Sequence, residues 1–167
     1  MNKVITLPNI LSSIGIIIAI NAMVFRQYLG LALTLVFIDV IIDYADGKIA
    51  KFLKQESRLG LLLDSLNDTI GFLLAPVLII GAQIEGNVYF VLLACLYVLA
   101  GIYRLYREYT LNNKTHFTGL TTTASAVLLL VLFTLVHLTS LSHQLVLIGL
   151  FILSSLMIAK FPLKRLF

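Results

Sequence analysis

Residues 39–75 read DVIIDYADGKIAKFLKQESRLGLLLDSLNDTIGFLLA, and this stretch holds every aspartate of the 167-residue chain: Asp39, Asp43, Asp46, Asp64 and Asp68. Asp39, Asp43, Asp46 and Ala50 recur at steps of three or four, so on a helix they share one face. Gly60, Asp64, Asp68, Gly71 and Ala75 form the same kind of stripe on a second helix. The connection between the stripes is short and basic. Two antiparallel helices can therefore set their acidic faces against each other, with small residues permitting close approach. Apolar runs flank both stripes, which places the acids in or beside membrane spans. A carboxylate there is expensive unless it is paired, hydrated or metal-bound. Facing carboxylates repel one another unless a cation joins them. An oxygen-only donor set suits Mg²⁺ or Mn²⁺ better than zinc, which prefers nitrogen and sulfur. Ion pairing with nearby lysines and arginines is the plainer alternative, but the cations cluster at one end while the acids form stripes.

Composition extends this reading to the whole chain. Hydrophobic residues make up 60% and charged residues only 12%, with a mean hydropathy of +1.03. Soluble domains carry about 25% charged and about 45–50% apolar residues. The polar surface is too small to cover a water-exposed globule, so an all-α integral membrane protein is expected. Candidate spans are Asn9–Phe25, Tyr28–Ala50, Leu59–Gly81, Asn87–Tyr106, Gly119–Leu138 and Ser142–Phe161. Six transmembrane helices in one bundle put both termini on one side. Of the twelve lysines and arginines, only Arg26 falls on the opposite side. That bias makes the shared side cytoplasmic, and the acidic helices meet near it. Topology thus explains the net charge of +4 without a nucleic-acid partner. The start, MNKVITLPN, lacks a small-residue cleavage site, so the first apolar stretch is expected to be retained. The one cysteine, Cys95, has no disulfide partner. No repeat or linker divides the chain, which reads as a single domain over residues 1–167. No Ser-His-Asp or Cys-His pattern is visible, and His116, His137 and His143 read as interface or loop residues.

The segment DYADGKIAKFLKQESRLGLLLDSLND resembles the signature of the CDP-alcohol phosphatidyltransferases, D-x2-D-G-x2-A-R-x8-G-x3-D-x3-D. Asp43, Asp46, Gly47, Ala50, Gly60, Asp64 and Asp68 match, and Lys51 stands where the family has arginine. Charge is kept there, but the flat bidentate fork is lost. The resemblance implies a six-helix membrane enzyme, expected in the cell membrane of a prokaryote with its site at the cytoplasmic face. Such an enzyme transfers a phosphatidyl group from a CDP-activated lipid to a small alcohol and releases CMP. It further implies that Asp43, Asp46, Asp64 and Asp68 hold Mg²⁺ or Mn²⁺, and that Asp68 takes the proton of the acceptor hydroxyl. Gly47, Ala50, Lys51, Ser57 and Gly60 would receive the nucleotide. The opening LPNILS resembles the family's Pro-Asn-x-x-Thr/Ser entry and adds Asn9 and Ser12 to that set. Asp39 falls outside the signature, with a structural role or one beside the metal ligands. The family also implies a homodimer.

A second segment, YRLYREYTLNNKTHFTGLTTTASA, resembles the phosphatidylserine synthase branch, with its R-L-A-R-F-N and F-x-G-L-P-x-P-A runs. Arg104, Leu105 and Arg107 match the first run; Phe117, Gly119, Leu120 and Ala124 match the second. Glu108 and Tyr109 replace Phe-Asn, and Thr121 and Thr123 replace the prolines. The resemblance points to serine as acceptor, with Arg104 and Arg107 binding its carboxylate or a phosphate. Glycerol 3-phosphate and inositol phosphate are the alternative acceptors, and cytoplasmic anchoring is the plainer role for the two arginines. An inactive scaffold and a small cation or proton transporter are the competing classes. A transporter predicts acids spread across the membrane and broken helices in corresponding halves, whereas these acids form one cluster.

Overall fold

The computed structural model describes residues 6–53, 58–84, 87–111, 116–159 and 162–164. Both termini, Lys54 and Ser57 lie outside them. The chain divides into two compact units, Met1–Ile79 and Ile80–Phe167.

The first unit is built on α1 (Leu7–Val24), α2 (Leu29–Phe52) and α3 (Arg58–Asn67). Pro8 lies in the opening turn of α1, where its missing N–H costs nothing because that donor has no helical acceptor. α1 packs along α2 and also touches α3. The contact is close because Gly15, Ala19 and Ala22 are buried on α1 and Ala32 and Val36 on α2. α3 continues as a π-helical stretch, Asp68–Leu74, and then as α4 (Ala75–Gly81). The Ala75 N–H reaches back five residues to the Ile70 carbonyl. Pro76 supplies a cause: it has no N–H for the carbonyl four residues earlier, and its ring crowds that carbonyl. The widened turn just before it relieves the crowding.

The second unit holds α5 (Val88–Leu111), α6 (Thr122–Leu138) and α7 (Gln144–Ile158), with α7 packed against both others. Buried Tyr97 and Ser125 share a hydroxyl hydrogen bond of 3.0 Å, so neither polar group is stranded in the core. Two three-residue strands, β1 (His116–Thr118) and β2 (Pro162–Lys164), pair antiparallel. Sequence periodicity gave no sign of this ladder in an otherwise helical chain. Gly119, expected to begin a helix, instead has φ +85 and precedes it. Thr121 caps α6 by accepting a hydrogen bond from the Ala124 N–H at 3.1 Å.

Among the described residues, three helices are long and apolar enough to cross a membrane: Leu7–Val24, Leu59–Gly81 and Val88–Thr110. α2 has the length, but Asp39, Asp43 and Asp46 interrupt its apolar run. α6 and α7, with 17 and 15 residues, extend about 25 and 22 Å at 1.5 Å per residue, short of the roughly 30 Å hydrocarbon core. Many outward residues are large and apolar; Ile17, Phe37, Leu92, Leu99 and Phe151 are each more than half exposed. That is the distribution of an integral membrane protein, in which lipid solvates the outer face.

Candidate functional site

The two acidic stripes meet within the first unit. One carboxylate oxygen each from Asp43, Asp46 and Asp64 lies within 4.8 Å of the others. Asp46 is buried, Asp43 half-buried and Asp64 exposed, so the cluster opens from the helix interior toward the surface. Asp68 is half-buried. It lies near enough to Asp43 to repel it, as do Asp64, Asp46 and Asp39. Carboxylates this close repel one another unless a cation joins them. Oxygens bound to one Mg²⁺ at about 2.1 Å stand at most about 4.2 Å apart. The observed trio is within a side-chain rotation of that spacing, and its all-carboxylate chemistry fits a hard divalent cation.

The helix start at residue 7 supports the cluster directly. Ser12 is 3% exposed, and its Oγ lies 2.6 Å from Asp46 Oδ2 and 3.1 Å from the Pro8 carbonyl. A hydroxyl has one proton to donate, and the shorter contact to a carboxylate takes it. Ser12, matched at first only to a nucleotide-binding motif, therefore orients a candidate metal ligand. Asn9 is buried one turn earlier.

Gly47 and Lys51 are exposed on α2, and Ala50 and Gly60 are half-buried. A Cβ built at Gly47 would meet nothing within 4 Å. Packing within the chain thus gives no reason for glycine there. Lys48 sits over the exposed Tyr44 ring, its Nζ 4.4 Å from the centroid. Ser57 lies outside the described residues.

In the second unit, Arg104 and Arg107 are both buried, at 5% and 7% exposure. Arg104 pairs with Glu108 at 2.8 Å and donates to Thr122 Oγ1 at 3.3 Å. Arg107 donates to the Ile158 carbonyl at 2.9 Å, placing a cation at the negative end of α7. Glu108, one of the departures from the serine-branch run, is thus the ion-pair partner of Arg104.

The residue that sequence reasoning passed over is Asn67. It is 1% exposed and donates through Nδ2 to Asp39 Oδ1 at 3.2 Å. An amide directly before an acid of the stripe was the available signal.

Comparison with known proteins places the chain in a family. A family model described as CDP-alcohol phosphatidyltransferase matches residues 5–159. A CDP-diacylglycerol–serine O-phosphatidyltransferase of Methanocaldococcus jannaschii is 30% identical over 165 residues, 98% of this chain and 79% of the relative. A protein of Mycobacterium tuberculosis, provisionally named a cardiolipin synthase, is 38% identical over 79 residues, 46% of this chain and 38% of its own length. Its Mycobacterium bovis counterpart matches to the same extent.

Proposed function

The chain belongs to the CDP-alcohol phosphatidyltransferase family, and from that membership we propose that it transfers a phosphatidyl group from CDP-diacylglycerol to L-serine in a divalent-metal-dependent reaction. The observation that carries the metal-dependent chemistry is the convergence of Asp43, Asp46 and Asp64 from two helices. Serine rests on the similarity to the Methanocaldococcus protein over 98% of this chain, together with the Arg104/Arg107 and Gly119–Leu120 matches.

Asp43, Asp46 and Asp64 are assigned to hold Mg²⁺ or Mn²⁺, with Asp68 completing the set and Ser12 fixing the Asp46 carboxylate. What the bound ion supplies is neutralisation of charge on the diphosphate and on the departing CMP. Gly47, Ala50, Lys51, Ser57 and Gly60 are assigned to the cytidine diphosphate, with Asn9 beside them. The open space at Gly47 supports that assignment, because a nucleotide can approach the helix backbone where no side chain intervenes. Asp68 accepts the serine hydroxyl proton as its oxygen bonds to the lipid-side phosphorus and the bond to CMP breaks. Arg104 and Arg107 are assigned to the serine carboxylate, which suits a planar guanidinium fork. A cytoplasmic-facing site and a homodimer belong to the same proposal.

Purified protein given CDP-diacylglycerol, Mg²⁺ or Mn²⁺ and one labelled acceptor at a time tests it. Labelled serine should enter lipid with one CMP released per product. Lipid formed from glycerol 3-phosphate or inositol phosphate but not from serine overturns the acceptor.

A further inference from the structure

One helical turn from Asp43, Asp39 of α2 is 0% exposed and Asn67, the last residue of α3, is 1% exposed. The hydrogen bond between them ties α2 to the point where α3 gives way to the π-helical stretch. The two remaining oxygens of the pair, Asp39 Oδ2 and Asn67 Oδ1, are buried without a hydrogen-bond partner. Two glycines on neighbouring segments face the pair. A Cβ at Gly15 of α1 would stand 2.8 Å from Asp39 Oδ1 and 3.1 Å from both amide atoms of Asn67; one at Gly71 would run into Asp39 Oδ2.

Such a pair is costly to the fold. An acid and an amide lose hydration on burial, and here each keeps an oxygen unsatisfied. Apolar groups of similar size would hold the helices together at least as well. Bundle stability therefore does not account for the pair, but its position does. The residue after Asn67 is Asp68, the first residue of the π stretch, and a bond at Asn67 gives the α-to-π change a fixed place.

We infer that the Asp39–Asn67 hydrogen bond is a positioning device that fixes the start of the π turn and so holds Asp68 against Asp43. The inference rests on the role assigned to Asp68 above. Asp39 acts through an oxygen that accepts a hydrogen bond, not through its charge. Asparagine at position 39 keeps that oxygen, and alanine removes it.

The test uses the full chain in detergent or nanodiscs, with two readouts: CMP release, and backbone amide exchange over residues 68–74. Asp39→Ala and Asn67→Ala should lower kcat by at least about tenfold, toward the roughly hundredfold cost of a misplacement of about 1 Å. The concentration of CDP-diacylglycerol giving half-maximal rate should stay within about threefold of the unaltered protein, since the nucleotide is assigned to other residues. Amide exchange over the π stretch should quicken in both variants, and Asp39→Asn should restore both readouts. If Asp39→Asn loses as much as Asp39→Ala, charge is what matters and the inference fails. A shift in Mg²⁺ requirement with kcat unchanged overturns it equally, because Asp39 would then be a metal ligand. CMP release by the unaltered protein that persists undiminished in both alanine variants defeats only the positioning role. No CMP from the unaltered protein with any acceptor defeats the function proposed above, and the catalytic claim for this pair with it.

Discussion

Asp46 shows how a single residue comes to serve a site. Its carboxylate is buried, receives the Ser12 hydroxyl at 2.6 Å and shares its surroundings with Asp43 and Asp64. A hydroxyl that fixes a ligating carboxylate contributes to metal affinity without touching the ion, and losing such a partner costs about 10–100-fold in affinity or activity. Ser12→Ala should therefore raise the Mg²⁺ concentration for half-maximal CMP release by about tenfold or more. The thermal midpoint in detergent should fall more in Mg²⁺ than after chelation. An unchanged Mg²⁺ requirement would return Ser12 to a purely structural place in α1. The acids were legible in the sequence because charged residues within apolar runs stand out, and their spacing gave the shared faces. Ser12 was legible only as a motif match. Its contact with Asp46 spans 34 positions in the chain, and no local pattern encodes that.

At the scale of elements, the helices were readable and their irregularities were not. Hydrophobic runs placed Leu59–Gly81 at its observed bounds and put α1 and α2 within two residues of theirs. The π stretch inside the third span left one local mark, Pro76, whose steric demand falls on the turn before it. The Gly119 turn left another. Gly119 has φ +85, and a Cβ there would stand 2.7 Å from the Met157 carbonyl oxygen and 2.8 Å from that of Ala159. Left-handed backbone costs a residue with a Cβ about 1–2 kcal/mol, and these oxygens are main-chain atoms that cannot swing aside. Gly119→Ala should destabilise the protein by at least about 2 kcal/mol once that collision is added to the backbone cost. Thermal unfolding monitored by circular dichroism measures it, and an unchanged midpoint would show that the end of α7 can yield. The same chain segment continues into Leu120, whose N–H bonds the Leu156 carbonyl at 3.1 Å. This glycine therefore serves α6 and α7 alike.

For the whole molecule, the proposal joins fold to metal. The acids of two helices are held together by apolar packing while their charges push apart, so a bound cation should stabilise the folded protein as well as support turnover. Chelation with EDTA should abolish CMP release and lower the thermal midpoint, and Mg²⁺ or Mn²⁺ should restore both. At about a hundred times its dissociation constant, an ion that binds only the folded state adds about 2.7 kcal/mol, and Asp43→Asn should shrink that gain. Activity that survives chelation would remove the metal from the proposal. The membrane class, the helical architecture, the acidic stripes and the family resemblance were all determined by the sequence. The first three follow from composition or short-range periodicity and the resemblance from a matched motif, all of which lie along one chain segment at a time. Only the tertiary structure decided which oxygens converge, that Ser12 serves Asp46, that Asn67 meets Asp39 and that Arg104 pairs with Glu108 and Thr122. These depend on how far one helix is turned and slid against another. Many packed side chains set that relation jointly, and no single stretch of sequence contains it.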